Sequence, residues 1–64
     1  MAYAEQESIE AGIAFTSPSG LNVTTTGNTV FLDADSMYVH EVEIADGDWA
    51  GEKFLLNLDY AEAK

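Results

Sequence analysis

The segment Tyr38-Val39-His40-Glu41-Val42-Glu43-Ile44 decides the fold class. A two-residue period puts Tyr38, His40, Val42 and Ile44 on one side of an extended strand. Val39, Glu41 and Glu43 fall on the other side. One face is apolar with a histidine in it, and the other carries two carboxylates, so this reads as a half-buried strand.

Downstream, Ala45-Asp46-Gly47-Asp48-Trp49-Ala50-Gly51 has the glycine and aspartate content of a loop. Beyond it Phe54, Leu56, Leu58 and Tyr60 alternate with Leu55, Asn57 and Asp59, a second strand of the same period. Matching the apolar faces sets Ile44 opposite Phe54, Val42 opposite Leu56, His40 opposite Leu58 and Tyr38 opposite Tyr60. A one-residue slip would turn Glu43 into the core, so the register is expected to be well determined. On this register Glu41, Glu43 and Asp59 share the solvent face.

Upstream, Asp33-Ala34-Asp35-Ser36 interrupts the pattern, and Thr29-Val30-Phe31-Leu32 precedes it. Gly27-Asn28 reads as a two-residue hairpin turn between that run and the β-branched strand Leu21–Thr26. Ser17-Pro18-Ser19-Gly20 is turn chemistry. Residues 1–12 carry two signals: helix formers up to Glu10, and an alternation of Ile9, Ala11, Ile13 and Phe15. They are read as a short helix near 2–10 and a strand near 12–16. The expected fold is α+β or mainly β, one domain over residues 1–64. Its core is an antiparallel meander of four or five strands, open or curled into a small barrel, with a short N-terminal helix.

The chain has 64 residues, 12 carboxylates, 2 lysines, no arginine, 1 histidine and no cysteine, for a formal charge of −10. A domain of this length buries only about 60% of the surface its unfolded chain exposes, so the core is small. Hydrophobic residues make up 47% and aromatic ones 11%, which separates it from disordered acidic chains. Disulfides and cysteine-based zinc sites are excluded. Two lysines cannot neutralise many phosphates, which argues against direct binding to nucleic acid, and anionic membranes would repel the chain. There is no apolar run of membrane-spanning length and no signal-peptide pattern, so a cytoplasmic location is expected. Monomer and homodimer both remain open.

Catalytic and metal chemistry find little support. His40 has no cysteine, second histidine or reactive-serine motif beside it and reads as a hydrogen-bonded core histidine. Asp46, Asp48 and Gly51 match positions 1, 3 and 6 of a calcium loop, but Ala50 and Asn57 occupy positions 5 and 12, where ligands are needed. The expectation is a non-enzymatic protein with no metal and no cofactor. Trp49 reads first as an aromatic folded back to cap the core, and second as an interface anchor.

The acid excess is the informative feature. Carboxylates at i and i+2 on one strand face lie about 6.8 Å apart. DNA carries a phosphate about every 3.4 Å along each strand, so imitation of a duplex requires more than one row. The candidate partner-binding set is Asp33, Asp35, Glu41, Glu43, Asp46, Asp48, Trp49, Glu52 and Asp59. In size, acidity and lack of catalytic motifs, with Glu41, Glu43, Asp46, Asp48 and Asp59 as its carriers, the chain resembles the small acidic phage-encoded inhibitors, DNA-mimic anti-CRISPR proteins among them. That resemblance implies an inhibitor acting in a host cytoplasm. Its partner would be a basic nucleic-acid-binding protein such as a CRISPR effector, whose DNA- or PAM-reading surface it would occupy. The alternative expectation is an acidic structural or interaction domain, including a halophilic one, whose charge serves solubility.

Overall fold

The computed structural model describes residues 3–63. Five strands form one open antiparallel sheet: β1 (Ala14–Thr16), β2 (Asn22–Leu32), β3 (Met37–Ile44), β4 (Lys53–Leu56) and β5 (Glu62–Ala63), in the spatial order β4-β3-β2-β1-β5. The sheet does not close into a barrel. Between β4 and β5 the chain crosses from one edge of the sheet to the other through a single 3-10 turn, Leu58–Tyr60, and a second such turn spans Tyr3–Glu5.

The alternation around β3 is realised. Phe15, Val23, Val42 and Ile44 form the buried cluster together with Leu58, and Tyr3, Ile9, Leu21, Phe54, Leu56 and Ala61 pack around it. The face assignment of the last hairpin holds only through Leu56, since Tyr60, expected on the core face opposite Tyr38, is 74% exposed. The register lies two residues from the expected one: Val42 pairs with Phe54 and His40 with Leu56. The reason lies at the turn. The Gly51 N–H donates to the Ile44 carbonyl, while the Ile44 N–H donates to the carbonyl of Glu52, so Gly51 and Glu52 together oppose one residue. This is a bulge with its glycine at φ +92°. A shift of two keeps every side chain on its face, which is why hydrophobic matching alone did not detect it.

The same pair of bonds occurs at Gly20-Leu21 opposite Ser17, closing the β1–β2 turn, and at Gly12-Ile13 opposite Thr25. At Gly12 the bulge marks the point where the chain leaves the sheet. Residues 3–11 turn back over the core face, bringing Tyr3 edge-on to Phe15 with ring centroids 5.4 Å apart. Of the helix expected near residues 2–10, the described residues hold only the turn at Tyr3–Glu5, and residue 2 lies outside them. A segment this short is a marginal helix in water. Here its backbone groups find partners on the sheet side instead.

Gly27-Asn28 is not a hairpin turn. β2 runs through it, and the pairing with β3 shifts there from Thr25↔Val42 to Thr29↔His40. Three residues, Thr26, Gly27 and Asn28, thus face Glu41 alone. The expected strand through Tyr60 ends at Leu56, because the Asn57 side chain caps the turn by accepting from the Asp59 N–H.

Candidate protein-binding face

The two sides of the sheet differ in what covers them. On the core side lies the strap of residues 3–11, tied by side chains of the sheet and of the crossing turn. His40 is wholly buried. Its Nε2 lies 3.0 Å from the Tyr3 carbonyl oxygen and its Nδ1 2.9 Å from the Thr29 hydroxyl. A carbonyl can only accept, so Nε2 carries the proton, and in the neutral ring Nδ1 accepts from Thr29. With both ring nitrogens engaged, His40 is a structural group.

Asp59 lies on this side as well, away from Glu41 and Glu43. Its two carboxylate oxygens accept from the Tyr3 N–H at 2.7 Å and the Ala4 N–H at 3.0 Å. The solvent face shared by Glu41, Glu43 and Asp59 therefore does not exist. The cause is the end of β4 at Leu56, after which strand alternation no longer governs where Asp59 points.

Among the described residues no element lies across the opposite face. Strand alternation and register place Thr16, Asn22, Thr24, Thr26, Glu41, Glu43, Lys53 and Glu62 on it, all half-buried or exposed. Glu43 stands between Thr24 on β2 and Lys53 on β4. Asp46, just past β3, accepts from the Asn22 side-chain amide at 3.0 Å and so joins the border of this face. Glu41 is more constrained. Its Oε1 accepts from the Thr26 hydroxyl at 2.6 Å and from the Asn28 amide at 3.0 Å, filling the irregularity in β2. The Thr26 hydroxyl first, then the Asn28 amide, hold the Glu41 carboxyl below its usual range; the Lys53 charge adds to this and desolvation opposes it.

The far half of the same face changes character. Beyond Glu41 it carries Leu32, Val30, Met37 and Val39, and Leu55 stands level with Glu41 on β4, with Val30 41% and Leu55 47% exposed.

The remaining sequence-selected residues occupy the two ends of the sheet. Asp33 and Asp35 are exposed in the β2–β3 turn, where Ser36 adopts φ +50°. Asp48, Trp49 and Glu52 are exposed at the other end, in the β3–β4 turn. Trp49 is 64% exposed and does not cap the core. The turn directs it outward because its backbone is closed by bonds from Ala50 to Gly47 and from Glu52 to Trp49. Glu62 was not among the selected residues. Its place on the open face follows from the pairing of β5 with β1, a contact between distant parts of the chain with no local signal.

Among the described residues no group of three histidine, aspartate or glutamate side chains converges to hold a metal ion. No helix among them is long and apolar enough to cross a membrane. Comparison of the chain with protein-family models, curated proteins and solved structures gave no match.

Proposed function

We propose that the chain is a non-enzymatic inhibitor that binds a basic nucleic-acid-binding protein, with carboxylates standing in for phosphates in the manner of a DNA-mimic anti-CRISPR protein. The observation that carries this reading is the uncovered sheet face. Among the described residues, Glu41, Glu43, Asp46 and Glu62 meet a single lysine there, Lys53, in a chain of net charge −10. Threonine and asparagine side chains between them supply hydrogen-bonding groups. The exposed Trp49 adds an aromatic anchor at one end. Long-range attraction would speed encounter with a cationic groove, and the short contacts would set the residence time.

The test is a competition assay in which the chain displaces DNA from purified CRISPR effectors. Displacement is expected to weaken as salt is raised, and Glu43→Lys is expected to abolish it while the circular-dichroism spectrum stays unchanged. Glu43 is the better site for charge reversal, since Glu41 also holds β2 in shape. Failure to compete with any effector would remove the CRISPR form of the proposal. Binding insensitive to salt would remove its electrostatic basis.

A second reading, an acidic domain whose charge serves hydration, is favoured by one observation. The other eight carboxylates lie off the open face, at both ends of the sheet, on the strap and on the crossing turn. This reading expects unfolding at low salt. A chain that stays folded in dilute buffer contradicts it.

A further inference from the structure

The uncovered face is divided into two chemical halves by Glu41. Along β3 the outward side chains run Met37, Val39, Glu41, Glu43, and the neighbouring strands follow the same division. On β2, Leu32 and Val30 give way to Thr26, Thr24 and Asn22. On β4, Leu55 gives way to Lys53. Val39, paired with Val30 on β2, is 5% exposed, while Val30 itself is 41% exposed. The apolar half is thus a continuous patch, with Asp33 and Asp35 beyond one end and Glu41 and Glu43 at the other.

From this division we infer that the face docks a protein surface on which an apolar cluster adjoins a row of lysine or arginine side chains. The apolar cluster would seat on the exposed Val30 and Leu55, which flank the buried Val39, and the cations on Glu41, Glu43 and the Asp33–Asp35 turn. The inference rests on the reading of the chain as a binder of basic proteins and adds the chemistry of the contact. Charge complementarity selects this occupant. A second copy would bring the same acidic rims together with no surplus of cations to pair them, and an anionic lipid surface would meet the same repulsion. Exposed aliphatic side chains have no role in imitating phosphates, so a partner that covers them offers more than a polynucleotide groove.

Two synthetic peptides test this by calorimetry: hexalysine, and hexalysine followed by Ala-Leu-Ala-Leu. The peptide with the leucines is expected to bind about tenfold more tightly, the gain from burying two half-exposed aliphatic side chains. Amide shifts on binding should centre on Val30, Val39 and Leu55. The double variant Val30→Ser and Leu55→Ser should lose that gain and keep its affinity for hexalysine. Both sites are exposed, so the fold should tolerate them, which the amide spectrum of the variant checks. Equal affinity for the two peptides would overturn this inference and leave the charge-based reading standing. Failure of both peptides to bind would overturn both. A dimer in sedimentation that the double variant dissolves would overturn it in favour of a second copy.

Discussion

The two sides of this sheet handle polar groups in opposite ways. On the covered side His40, Thr29, Thr25 and Asp59 each bond to a named partner, and among the described residues no buried side-chain nitrogen or oxygen lacks one. On the open side, among the described residues, the carboxylates tied to neighbouring side chains are those of Glu41 and Asp46, and Glu43 and Glu62 face outward. Carboxylates that look equivalent along the chain therefore divide by how far the fold engages them, Asp59 through both oxygens, Glu41 through Oε1 alone, and Glu43 by none of these bonds. Net charge alone cannot make that division.

The sharpest challenge to this contrast is His40→Ala. It would leave the Tyr3 carbonyl and the Thr29 hydroxyl without their partner and open a cavity, a loss of about 3 kcal/mol. A domain of this length holds only about 3–10 kcal/mol in total, so the variant should be largely unfolded in mild urea. Urea unfolding followed by circular dichroism measures this, and a loss below about 1 kcal/mol would show that the covered side is not held as described.

A smaller effect is expected of Asp59→Ala. Removing the acceptor of two strap amides should cost about 1 kcal/mol and speed hydrogen exchange at Tyr3 and Ala4 above the rest of the chain. Unchanged exchange at those two amides would separate Asp59 from the strap.

Glu41 gives a pH-dependent test. Because folding lowers its titration, the ionised carboxylate stabilises the fold above the ordinary carboxylate range, and this contribution is lost as pH falls through the lowered value. Glu41→Gln keeps an oxygen for Thr26 and Asn28 but removes the charge. Between about pH 7 and pH 3 the melting temperature should therefore fall further for the wild type than for the variant. Parallel curves would place the Glu41 charge among the free carboxylates.

The smallest effect should come from Glu43→Gln, within about 0.5 kcal/mol in stability. Its effect should appear only in binding to a cationic partner.

Much of the fold was legible locally. The period of Tyr38–Ile44 identified β3, its buried face and the structural role of His40, and the Ser17–Gly20 turn was marked by its residues. Turn glycines were legible as punctuation but not as bulges. Gly27 looked like a hairpin turn because a glycine beside an asparagine suits one. Only the pairing with β3 shows a continuous strand folded around Glu41. Trp49 was misplaced for a related reason: composition says that a small core needs aromatics, yet it does not say which ones reach it.

Strand face is set by near neighbours, since alternation and turn chemistry act over a few residues, and for this chain the sequence determined it along β3 and as far as Leu56 on β4, along with the charge. What it left undecided depended on contacts between distant residues. Those contacts include the two-residue offset of β4, the joining of β5 to β1, the strap held by Asp59 and His40, and the division of the open face at Glu41. Each turns on which of several locally acceptable pairings buries the most apolar surface while satisfying the backbone, a comparison that exists only once the whole chain is folded.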